Sequence, residues 1–202
     1  MTTMIGKPLA SLSEAYKAMY YGVKNMPRLK MAMNKGLISK HFNSRIMLAV
    51  TEVNGCNLCS YGHTTIALES GMTEEEIHQL LGGETSDTPL EEQAALLFAQ
   101  SVADSRGAVS KKAWEHLVTI YGEKQSKAIL ASVEVIMMGN TFGIPIGSLF
   151  SRVSKKDIFK KDDRTTLSYE WMMFIAAITF LPVSILHSLI AWLLRRPQAI
   201  FY

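Results

Sequence analysis

The run IMLAVTEVNGCNLCSYGHTTIALESGMTEEEIHQLLGG, residues 46–83, decides the fold class. It opens with apolar residues dense enough for a buried helix and halts at Asn54-Gly55. It resumes through small and apolar residues to Gly71. Thr73 and Glu76 then form a capping-box pattern ahead of Ile77 and Leu80–Leu81, and Gly82–Gly83 stops that helix. Nowhere does apolar and polar alternation with period two persist, so the segment reads as three helices and no strand.

The same punctuation extends outward. Ser11 and Ser13 precede Ala15–Met33, where Tyr16, Met19, Tyr20 and Val23 recur at helical spacing. Thr88, Pro89 and Glu91 read as an N-cap, a first-turn proline and a third-position glutamate ahead of Ala94–Ala103. Ser110 opens another helix through Trp114, Leu117 and Val118, and a longer one is expected from Ser126 to about Phe150. Gly36, Gly107 and Gly122 supply further stops. Asn140, Gly143, Pro145 and Gly147 interrupt the long helix and permit close helix contact. Short loops between such helices predict an all-α bundle.

Composition narrows the function. In 202 residues, 48% are hydrophobic and 19% charged, which excludes a disordered chain. Two cysteines exclude a disulfide-stapled secreted scaffold. The N-terminus lacks a secretory apolar core, so a cytosolic body is expected. Residues 1–154 carry 14 Lys+Arg and 14 Asp+Glu, a neutral body that argues against nucleic acid as a partner. The net charge of +3 therefore lies entirely in the remainder. There, Trp171–Leu194 has no formally charged residue, is long enough to cross a bilayer, and carries tryptophans near both ends. Ser184, His187 and Ser188 share one face of it. Arg152, Lys155, Lys156, Lys160, Lys161 and Arg164 precede it and Arg195–Arg196 follow, which orients a span with the body in the cytoplasm and a six-residue tail outside. A buried helix within an oligomer is the other reading of the same residues. The chain thus divides into a helical domain at 1–153, a basic linker at 154–166 and an apolar helix at 167–202.

The chemistry concentrates in Cys56-Asn57-Leu58-Cys59, with His63 four residues on. A helix starting near Asn57 puts Cys59 in its first turn and His63 one turn later on the same face. Free N–H groups and the positive end of the helix dipole favour a thiolate there, and two thiols at this spacing can close a disulfide. These residues predict a nucleophilic thiolate, oxidised and then resolved to a disulfide by its neighbour. Two packed structural cysteines remain a second reading. A zinc site is a third, although no second paired ligand set follows, so neither a metal nor a cofactor is expected.

The run at 46–83 resembles the core of the carboxymuconolactone decarboxylase family, in its alkylhydroperoxidase AhpD-like branch. The resemblance covers an apolar helix, NGCxxC, a histidine four residues on, a small-residue helix and a short acidic-capped helix. It extends more loosely to about Val153. It implies an AhpD-like helical bundle, usually a homo-oligomer, and reduction of a peroxide or disulfide substrate with a dithiol protein as reductant. By motif position Cys59 would attack, Cys56 would resolve and His63 would serve in proton transfer. Two positions depart from the pattern. Ser44 stands where the branch has a glutamate twelve residues before the first cysteine, and Leu58 stands where AhpD has a histidine. Glu52, four residues before Cys56, is the candidate substitute carboxylate. The departures leave open a membrane-tethered scaffold or redox sensor, and a lactone decarboxylase independent of both cysteines.

Overall fold

A computed structural model describes residues 7–84, 88–154, 156 and 159–194. Among them every regular element is a helix: α1 Leu12–Asn34, α2 Lys40–Asn54, α3 Asn57–Glu69, α4 Glu74–Leu81, α5 Leu90–Asp104, α6 Lys111–Ser151 and α7 Leu167–Leu193. The expected Lys155, Arg195 and Arg196 flanks and the terminal tail lie outside the described residues.

The starts follow the sequence signals closely. Ser11 caps α1 in a full capping box with Glu14, and Thr73 and Ser110 accept from the third backbone N–H of α4 and α6. One start differs. Pro89, at φ −51° and ψ 132°, is itself the cap residue of α5, without a side-chain cap. Thr88 is buried and its carbonyl accepts from Gln93 Nε2, so it holds the loop instead of capping the helix. The two helices expected on either side of Gly122 run nearly end to end as α6, with Gly122 at φ 70° and ψ 164° marking the break. The left-handed φ there is why a glycine interrupts them.

Two helices form the centre. In α2, Phe42 and the unbroken run Ser44–Thr51 are buried; in α6, Ala128–Glu134 are buried without interruption. Both runs are buried on every face, so neither shows a clean apolar stripe, and polar members such as Ser44, Arg45, Thr51 and Glu134 are enclosed with the rest. Helices α4 and α5 and the C-terminal half of α1 close around them, with Ile46, Leu48, Leu96, Ile129 and Leu130 fully buried. Each such side chain contributes roughly 1.5–3 kcal/mol of burial.

Arg45 ties three of these elements together. From α2 its Nε donates to Glu76 of α4 at 2.6 Å and its Nη1 to Glu92 of α5 at 2.8 Å. Arg45→Met will leave two carboxylates facing a nearly dry position and will cost about 3 kcal/mol. Urea unfolding at neutral pH reads this as a drop in midpoint at unchanged slope.

Helix α7 packs one face on α1 and α6. Ala15, Met19, Phe142, Met173 and Ala176 make a second small core. The polar stripe of α7 faces the body: Ser184 is buried, and His187 Nδ1 pairs with the Tyr16 hydroxyl at 2.9 Å. At its base, Arg152 holds the fully buried Glu170 through two bonds of 2.6 and 2.8 Å, and Thr165 donates to the same carboxylate. The outer face is different. Trp171, Ile175, Ile178, Leu186, Leu189 and Trp192 are exposed. Both α6 and α7 are long and apolar enough to cross a membrane, but 61% of the most apolar stretch of α6 is buried in the body, against 17% for α7. By that measure α6 is a core helix, whereas the apolar surface of α7 is left open.

Candidate functional site

The site is built at the junction of α2 and α3. Gly55 ends α2 with φ 69°, a left-handed turn that only glycine enters without strain, and both of the helix's last bonds close on its N–H. The chain then reaches Cys56, which is the N-cap of α3. Its Sγ accepts the backbone N–H of Cys59 at 3.3 Å. Cys56 and Cys59 are disulfide-bonded, with Cα atoms 5.2 Å apart. The expected helix start at Asn57 thus holds, and the sulfur of Cys56 takes the place an oxygen usually occupies in a cap.

The two sulfurs differ in access. Cys56 is 1% exposed and Cys59 is half-buried. The cap bond and the helix dipole favour negative charge on Cys56. Solvent and any substrate reach Cys59 more easily. His63 stands one turn beyond Cys59 on α3, half-buried, and burial lowers its pKa below the ordinary histidine value. It is therefore neutral at neutral pH and able to accept a proton.

That shift has a sign in stability. As pH falls, the unfolded chain takes up the His63 proton before the folded chain does. The folded state thus loses no stability from His63 above about pH 6.5 and loses it progressively below. In a proton NMR titration the His63 ring will show a midpoint under 6.5; a midpoint at or above it would contradict the buried neutral imidazole.

Over the sulfurs lies α6. A Cβ built on Gly143 would stand 2.6 Å from Cys59 Sγ and 2.8 Å from Cys56 Sγ, and one on Gly147 would stand 3.3 Å from Leu58 Cβ. These glycines let the α6 backbone rest directly on the disulfide turn. The sequence marks them as close-contact residues, but nothing in it says that the contact is with the cysteines.

Glu52 is half-buried, and burial raises its pKa, opposed by the charge of Lys7. Its carboxylate lies against the turn after α4, 3.6 Å from a Cβ built on Gly83. Among the described residues no hydrogen bond joins it to the cysteines or His63. Ser44 is buried on α2. His41 Nε2 bonds the Ser70 carbonyl at the far end of α3, while His78 and His116 are exposed. No group of three His, Cys, Asp or Glu residues arranged for a metal occurs among the described residues.

Residues 23–101 match the carboxymuconolactone decarboxylase family. The match runs from the middle of α1 into α5, so the matched segment contains Glu52, Cys56, Cys59 and His63. Helices α6 and α7, including Gly143, lie beyond it. No curated protein and no solved structure matches the chain.

Proposed function

We infer that the protein is a thiol-disulfide oxidoreductase, reducing peroxides or exchanging disulfides through Cys59 and Cys56. The observation that carries this reading is the disulfide at the N-terminus of α3, with one sulfur sheltered, one accessible and a neutral imidazole one turn away. On this reading the reduced Cys59 thiol gives its proton to His63 and attacks a peroxide oxygen. The O–O bond breaks, the leaving alkoxide takes a proton and departs as alcohol, and Cys59 is left as a sulfenic acid. Cys56, held as a thiolate by the Cys59 N–H and the helix end, attacks that sulfur and releases water. A dithiol protein then returns two electrons and two protons. For exchange, the first acceptor is a disulfide sulfur and the leaving group a thiolate. Glu52 can assist only by way of solvent or a turn of its side chain, and its raised pKa suits a carboxyl that holds a proton.

Intact-mass measurement with peroxide and a dithiol tests this. The reading expects a reversible loss of two hydrogens at Cys56 and Cys59 and continuous peroxide consumption. Reversible oxidation without consumption would favour a redox sensor, a reading supported by Ser44 and Leu58. Thiols that stay reduced would favour a scaffold.

The same reading places the protein at a membrane, body in the cytoplasm, and as a homo-oligomer. The exposed apolar face of α7 supports membrane attachment, because monomeric soluble proteins rarely leave such a surface uncovered. Cell fractionation separates the cases. Attachment expects α7 to keep the protein in the membrane fraction through alkaline wash, and its release as a discrete oligomer would assign the face to a second copy instead.

A further inference from the structure

A cavity of about 300 Å³ opens between α1, α6, the start of α7 and the loop after α5, and none of the residues lining it is a cysteine or His63. That volume is at the small end of ligand pockets, roughly 300–1,000 Å³. Its walls are largely apolar: Pro8, Leu9, Ala18, Met137 and Ile144. Set into them is Asn140, 1% exposed, whose Oδ1 accepts from the Thr51 hydroxyl at 3.2 Å and whose Nδ2 has no hydrogen-bond partner. A buried amide nitrogen without an acceptor costs roughly 1–3 kcal/mol, so its retention calls for a partner that completes it.

The polar groups around the cavity have donors to spare and acceptors already engaged. The Glu14 carboxylate is bound by Arg106 through two nitrogens. Asn54 Oδ1 is taken by Lys7 Nζ at 2.8 Å, and Glu134 accepts from Asn25. Lys7 spends two of its three N–H donors, on Asn54 and on the Ala103 carbonyl. Lys17 is exposed at the rim. A ligand that satisfies this site must bring an acceptor, and its body must be apolar.

We propose that this cavity binds a small monocarboxylate with an apolar tail, one carboxylate oxygen on Asn140 Nδ2 and the negative charge on the Lys7 side. Burial, with the nearby charges of Arg106 and Arg164, lowers the Lys7 pKa to about 8 against the pull of Asp104. A bound anion offsets that repulsion. The site neither uses nor requires the cysteines.

Isothermal titration of the full chain with octanoate tests the proposal, in the absence of any redox substrate. Octanoate is expected to bind saturably at one site per chain, with octan-1-ol at least tenfold weaker. Asn140→Asp keeps the acceptor for Thr51 and replaces the free N–H donors with an anionic oxygen, so it is expected to weaken octanoate at least tenfold. Ala18→Phe, which fills the cavity from α1, is expected to remove binding whether or not Asn140→Asp folds. Absence of saturable binding, equal affinity for octanol, or octanoate affinity unchanged in both folded variants would each overturn it. Because no thiol chemistry enters the measurement, its failure leaves the oxidoreductase reading untouched, and the reverse holds.

Discussion

Gly143→Val will destabilise the protein by roughly 3 kcal/mol, and Gly143→Ala by a smaller but measurable amount. In an exposed helix the alanine change would stabilise by about 1 kcal/mol, since glycine is the poorer helix former. Here the new Cβ meets two sulfur atoms at 2.6 and 2.8 Å. Those sulfurs are fixed by their own bond and by the cap of α3, so neither can swing aside as the end of a long side chain could. Valine adds two methyl groups to the same conflict. The proper comparison is Gly62→Ala on α3, where a Cβ meets nothing within 4 Å. Denaturant unfolding of the oxidised proteins should find Gly62→Ala neutral or stabilising and both Gly143 variants destabilised. If Gly143→Ala is as benign as Gly62→Ala, the packing of α6 on the disulfide is wrong.

On the oxidoreductase reading, Cys59→Ser is expected to lower dithiol-dependent peroxide turnover on the order of 10³-fold, to the level of the uncatalysed reaction. A serine oxygen at position 59 can neither be oxidised to a sulfenic acid nor be resolved to a disulfide, and the remaining sulfur is shielded at 1% exposure. Cys56→Ser will behave differently. The first oxidation will proceed, one equivalent of sulfenic acid will form at Cys59, and turnover will then stall for lack of a resolving thiol. A trapping reagent for sulfenic acids, followed by intact mass, distinguishes the two. The opposite pattern would assign the attack to Cys56, which the helix dipole and the Cys59 N–H favour as a thiolate. Exposure and thiolate stability point to different sulfurs, and this pair of variants decides which governs.

Much of the architecture was legible because helices announce their ends. Ser11, Thr73 and Ser110 all cap as their chemistry dictates, and Gly55 and Gly122 sit where positive φ is required. The Cys56, Cys59 and His63 cluster was legible because its parts are local, all within one or two turns of a single helix. What periodicity does not carry is which distant residue meets it. Gly143 is more than 80 positions from Cys59, and a glycine's contact partner leaves no mark on its own neighbourhood. The cavity at Asn140 and Lys7 was hidden for the same reason: Asn140 reads only as a helix-contact residue, and a cavity is a property of three elements that meet. At Pro89 the local rule failed because the preceding threonine was recruited into the loop, which no cap pattern records.

The clasp of Arg152 on Glu170, with Tyr16 on His187 some five turns above it, makes α7 a strut and not a tether. Two fastenings far apart on one helix remove its freedom to swivel. Whatever receives its outer face, lipid or protein, therefore also sets the compass bearing of the disulfide. A reductant delivering electrons to Cys59 would have to arrive from one fixed direction, and removing the Arg152–Glu170 and Tyr16–His187 contacts together would be the way to unlock it.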